Sequence, residues 1–147
     1  MSKKRKAKGG GPGMGRITAS GRAVCYCGRD MRVVRGRNGP FFGCASFPEC
    51  DGSAMMNEKG EPVSTAATQP IRDARRRAHV LFDQLWHGKG SQMSRGKAYK
   101  WMQKVMGLEP DDAHIGLLDE AQCETLINAL RTLEGEDPDV QRLIGGR

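Results

Sequence analysis

Apolar residues recur with a helical period along the second half of the chain, and with a strand's period only in a short stretch of the first. Ile71, Ala74, Ala78, Leu81 and Leu85 stand three or four positions apart in a segment that also carries Arg72, Arg75, Arg76 and Arg77. That spacing predicts an amphipathic helix with a cationic shoulder. A second helix is marked at both ends. Ser94 is a good N-cap, Ala98, Trp101, Met102, Val105 and Met106 fall on one face, and Gly107 stops it. A third opens at Asp119, where Gln122 completes a capping box, and carries Cys123, Leu126, Ile127, Leu130 and Leu133 before Gly135. The three together predict a small helical bundle over residues 71–135.

The first half reads differently. Met31-Arg32-Val33-Val34-Arg35 sets β-branched residues among basic ones, Gly36-Arg37-Asn38-Gly39-Pro40 is a turn signal, and Phe41-Phe42-Gly43-Cys44 returns as a second strand. Alternation directs Arg32 and Val34 to one face of this hairpin and Val33 and Arg35 to the other, so neither face is purely apolar. So little apolar surface cannot hold a fold by burial alone, and a metal site contributing about 10 to 16 kcal/mol would supply what is missing.

Four cysteines flank the hairpin in two pairs, Cys25-Tyr26-Cys27 and Cys44-Ala45-Ser46-Phe47-Pro48-Glu49-Cys50. Thiolates are soft ligands that suit tetrahedral zinc, and four of them close a structural site with no position left for a catalytic water. Cys25, Cys27, Cys44 and Cys50 are therefore the candidate ligands of one Zn2+. The first pair is tighter than the usual Cys-x-x-Cys, with Val24 standing where a first thiolate is expected. Cys25 either reaches the metal through a tighter turn or leaves it. Reduced structural cysteines or disulfides are the alternatives, but disulfides suit secreted chains, and this one opens on a basic run with no apolar signal segment. The expected setting is a reducing cytoplasm, where paired cysteines usually mean metal.

Charge is distributed unevenly within a net of +7: Lys and Arg outnumber Asp and Glu by 11 to 2 in residues 1–50 and by 10 to 5 in residues 51–107, whereas acids lead by 10 to 3 in residues 108–147. Polyanions should meet the front end first. Lys3, Lys4, Arg5, Lys6 and Lys8 precede a Gly-rich leash and are expected to lack structure to about Thr18. Their role is either phosphate attraction or solubility. The expected fold class is α+β, arranged as a disordered basic tail (1–20), a four-Cys zinc ribbon (21–56), a polar linker (57–70), the helical bundle (71–135) and a C-terminal tail (136–147). No apolar run approaches the roughly 20 residues that a membrane helix needs, so no membrane partner is expected.

Arg29, Arg32, Arg35 and Arg37 can contact phosphates while Phe41 and Phe47 offer faces for bases, with Phe42 the core residue and Tyr26 a further ring. Gly39-Pro40-Phe41-Phe42-Gly43-Cys44-Ala45-Ser46-Phe47-Pro48-Glu49-Cys50, preceded by Cys27-Gly28 and Met31, resembles the C-terminal zinc ribbons of type IA DNA topoisomerases. The resemblance covers about thirty residues and implies DNA binding, single strands included. It implies no strand passage, because nothing in the chain resembles the topoisomerase catalytic domain.

The wider arrangement resembles a family of small zinc-finger-containing proteins of bacteria and bacteriophages. Tyr26-Cys27-Gly28, Cys50-Asp51, Arg75, His79, Phe82-Asp83, Leu85-Trp86, Arg95, Ala98-Tyr99, Trp101 and His114-Ile115-Gly116 carry that likeness. It implies a bacterial or phage-encoded origin and no particular reaction.

Three functional readings follow. The first is a non-enzymatic zinc-ribbon protein that binds nucleic acid, DNA rather than RNA. The second is an interaction module whose acidic helical end meets a protein partner while zinc braces the ribbon. The third is a metal-dependent, nuclease-like enzyme using His79, Asp83 and His114. Against this last, the two histidines are expected to be buried groups that fix helix packing. Cys123, Trp86, Tyr99 and Trp101 are expected to be core residues.

Overall fold

A computed structural model of the protein describes residues 6–87, 91 and 93–135. In chain order its elements are β1 (Lys8–Gly9), β2 (Arg16–Ile17), β3 (Ala23–Val24), β4 (Met31–Gly36), β5 (Gly39–Cys44), β6 (Ser53–Ala54), α1 (Gln69–Trp86), α2 (Arg95–Met106) and α3 (Glu120–Gly135), with a 3-10 turn at Ile115–Leu117. The chain is thus α+β, and it divides into two compact units at Arg72, inside α1. No helix among the described residues is long and apolar enough to cross a membrane.

The first unit holds two antiparallel sheets, ordered β1-β2-β3 and β4-β5-β6. β4 and β5 pair from Met31↔Cys44 to Gly36↔Gly39, which leaves Arg37 and Asn38 as a two-residue turn. Opposed residues share a face. Arg32, Val34, Phe41 and Gly43 therefore lie on one side and Val33, Arg35, Phe42 and Cys44 on the other, in the alternation that the sequence predicts. β6 adds a third strand, setting Ala54 opposite Phe42.

Two segments depart from expectation. The basic tail, expected to lack structure to about Thr18, is paired from Lys8 onward: β1 runs against β2 and β2 against β3. The cause is burial of isolated apolar residues, since Ile17 is covered and Met14 packs with Ala67 and Ile71. Residues 1–5 lie outside the described residues, as does the expected C-terminal tail.

The expected linker is likewise part of the first unit. Thr65, Ala66 and Ala67 are buried, the Gly15 N–H donates to the Ala66 carbonyl at 2.7 Å, and the Thr68 N–H donates to that of Gly13 at 2.9 Å. Ahead of them, residues 55–63 fold back on themselves. Val63 N–H donates to the Met55 carbonyl at 2.9 Å, Met56 bridges Pro62, and the Asn57 side-chain oxygen accepts from the Lys59 and Glu61 backbone at 2.9 Å each. An Asx-type turn of this kind needs only the short side chain of Asn57 and leaves no periodic trace.

The second unit is built from the predicted helices. Ser94 caps α2, its hydroxyl accepting from Lys97 N–H at 3.2 Å, and Gly107 ends it in the left-handed conformation. At α3 the capping box closes in both directions, with Asp119 Oδ1 accepting from Gln122 N–H at 2.7 Å and Gln122 Oε1 accepting from Asp119 N–H at 3.0 Å. Ala74, Ala78, Phe82 and Leu85 of α1, Ala98 and Met102 of α2, and Cys123, Leu126, Ile127, Leu130 and Leu133 of α3 form one core. The three alanines are fully buried. Trp86, Tyr99 and Trp101 pack on its margin, half-buried rather than enclosed.

Candidate metal centre

Two turns bring the cysteines together. The first follows β3, where Cys25 N–H donates to the Arg29 carbonyl at 2.8 Å and Gly28 N–H donates to that of Cys25 at 2.9 Å. The second begins at the end of β5, where Phe47 N–H donates to the Cys44 carbonyl at 3.1 Å and Cys50 N–H to that of Ser46 at 3.3 Å. Ala45 N–H donates to the Asp30 carbonyl at 3.1 Å and the Arg29 guanidinium to Ser46 Oγ at 2.7 Å, which ties one turn to the other.

The result is a cluster in which the four sulfurs all lie within 4.8 Å of one another. The Cys25–Cys50 and Cys27–Cys44 separations are both 3.5 Å, and all four thiols are free. A bonded pair would stand about 2.05 Å apart. Four sulfurs around a tetrahedral zinc, each about 2.3 Å from the ion, stand about 3.8 Å apart. The cluster is consistent with one structural zinc ion. The tight Cys25-Tyr26-Cys27 step does not exclude Cys25, because Tyr26 swings away and hydrogen-bonds through its hydroxyl to Asp51 at 2.9 Å.

The surroundings favour a cation. Burial pushes the Cys25 and Cys44 thiols up from their ordinary range. It acts on Cys50 in the same direction, but the Gly52 backbone N–H, the Tyr26 hydroxyl and neighbouring thiols outweigh it and bring Cys50 down to about 7. A divalent ion offsets the cost of ionising the rest. Ser46 N–H points at the Cys44 sulfur from 3.4 Å, a donor suited to a ligating thiolate.

Sequence reading missed the residues behind the cluster. Gly52 carries the strand past Cys25 with no room for a side chain. Asp51 accepts from Tyr26 and, at 3.1 Å, from the Arg72 guanidinium, and both contacts hold its carboxyl below the usual range. Their only signal was position, directly after the last cysteine.

The residues expected to meet nucleic acid divide. Arg32 and Phe41 share one face of the hairpin, Arg35 takes the other, and Arg37 stands in the turn. Arg32, Arg35 and Arg37 are exposed, Phe41 and Phe42 are half-buried, and Phe47 is 65% exposed. Arg29 is engaged with Ser46.

In the second unit His79 Nδ1 lies 3.0 Å from Asp83 Oδ2, and the His114 ring sits 6.0 Å from that of Tyr99. Both histidines are exposed, which corrects the expectation of burial: each faces outward beside the core rather than into it. Among the described residues the grouping of potential metal ligands is that of the four cysteines, not one of His79, Asp83 and His114. Cys123 is fully buried, as expected.

Comparison with curated proteins and with solved structures returned no match. Residues 17–133, from the end of β2 almost to the end of α3, match the model of a zinc-finger-containing domain. The match spans the helices as well as the cysteines, and the chain belongs to the zinc-finger-containing domain family.

Proposed function

We propose that the protein binds nucleic acid, DNA in particular, through a hairpin held by a zinc ion on Cys25, Cys27, Cys44 and Cys50. The observation that carries this reading is that Arg32 and Phe41 lie on one face of β4–β5. A Cβ on Gly36 would come 2.8 Å from the edge of the Phe41 ring, and one on Gly43 within 3.7 Å of its other edge. Glycine at position 36 leaves the ring room along the strand surface, where a base could stack on it while Arg32 meets a phosphate. Phe47, exposed in the second cysteine turn, offers another ring. The likeness to type IA topoisomerase ribbons and the basic front end of the chain support the same reading.

Fluorescence anisotropy with labelled oligonucleotides across a salt series tests it. Replacing Arg32 and Phe41 with Ala is expected to weaken binding about tenfold or more and to flatten the salt dependence by about 0.7 in log–log slope for the lost cation. Affinity that is independent of salt, or unchanged in the double variant, counts against the assignment.

A further inference from the structure

The first unit contains an open groove of about 820 Å3 between the tip of the β4–β5 hairpin and the turn at residues 55–60, whose walls include Val33, Arg35, Arg37, Phe41, Met55 and Lys59. Val33 and Met55 are 55% and 67% exposed, high for apolar side chains. Arg35, Arg37 and Lys59 are exposed and enter no ion pair among the described residues, against a single acid, Glu58, in the walls. The second wall is firmly placed. Met55 N–H donates to Ser64 Oγ at 2.8 Å and Lys59 N–H to Asn57 Oδ1 at 2.9 Å.

Three cations on the rim select an anionic occupant, and apolar walls select one with flat or hydrophobic groups between its charges. A volume in this range holds a small-molecule-sized group. Bases inside a duplex present only their edges, so only an unpaired nucleotide can enter.

We propose that this groove seats an unpaired base of a single-stranded nucleic acid, with Phe41 and Met55 contacting the base and Arg35, Arg37 and Lys59 the flanking phosphates. The proposal rests on the nucleic-acid reading above and extends it to Met55 and Lys59, outside the cysteine-bounded ribbon.

The test uses the full zinc-loaded chain, a labelled oligothymidylate, a duplex of equal length and a poly-glutamate peptide. The parent is expected to bind the single strand at least about tenfold more tightly than the duplex, and Met55→Asp with Lys59→Glu to lose about tenfold in affinity with a shallower salt slope. Zinc content and circular dichroism equal to the parent's establish that this variant is folded, as exposed positions allow. Equal binding of single strand and duplex, or undiminished binding by the folded double variant, overturns the groove while leaving the nucleic-acid reading in place. No oligonucleotide binding by the parent overturns both. Binding of poly-glutamate but not of oligothymidylate overturns both as well and assigns the groove to an acidic peptide.

Discussion

A Cβ on Gly52 would lie 2.2 Å from the Cys25 sulfur, closer than any real contact allows. Gly52 is also bound in place, since its carbonyl accepts from Cys44 N–H at 2.9 Å. A side chain there has no route to relief that spares the cluster: either the sulfur leaves or the strand does. Gly52→Ala is therefore expected to abolish stoichiometric zinc binding. Gly96, in the first turn of α2, has nothing within 4 Å of an added Cβ. Gly96→Ala should keep its zinc and gain up to about 1 kcal/mol from helix propensity. Zinc per chain by elemental analysis separates the two, and a full complement in Gly52→Ala would refute the crowding argument.

Removal of single thiols asks which cysteines count. Cys25, Cys27, Cys44 and Cys50 to Ser are each expected to reduce zinc content sharply, and Cys123→Ser to leave it unchanged, because Cys123 lies in the helical core. Stripping the metal with a chelator should unfold the first unit and preserve most helical circular dichroism, since the large core is made of residues of the second unit alone. Normal metal content in Cys25→Ser would show that the tight first pair supplies only Cys27.

The helical unit was legible because its apolar residues repeat and its caps are local. Ser94, Gly107, Asp119 and Gln122 act on neighbours within a few positions, so their roles can be read without knowing the fold. The β1–β3 sheet was not legible. Two-residue strands carry no period, and Met14 is covered by Ala67 and Ile71, more than fifty positions away. The linker failed for the same reason: Thr65 to Ala67 are small residues of unremarkable pattern whose burial is decided by Gly15 and its neighbours. At the metal centre the soft ligands announced themselves by type and spacing. Gly52 and Asp51 did not, because their importance is steric and relational rather than chemical.

The α3 cap provides a measure of local stability. Asp119 satisfies the Gln122 N–H while Gln122 returns a bond to Asp119, so Asp119→Ala removes an acceptor and releases its partner. A loss of about 1 kcal/mol is expected in chemical denaturation of the helical unit. Asp119→Asn, which keeps an oxygen in the same place, should recover most of it. An alanine variant as stable as the parent would show that the end of α3 is held by core packing alone.

Cys123 is a built-in reporter of the helical core at high pH. Its thiol is fully buried, and burial pushes its pKa from the ordinary 9.0 to about 11, with Arg75 pulling the other way. Arg75 is itself held by donating to the Leu118 carbonyl at 2.8 Å. The unfolded thiol ionises first as pH rises, so the folded state carries no penalty from this group below about 9 and a growing one from 9 to about 11. Stability should therefore fall through that window more steeply in the parent than in Cys123→Ala, even though the alanine variant starts lower because it leaves a small cavity. Denaturation midpoints of both proteins at pH 7, 9 and 10.5 make the comparison. Parallel curves would mean that the thiol is solvated, and rapid modification of Cys123 by a thiol reagent in the native protein at neutral pH would say the same.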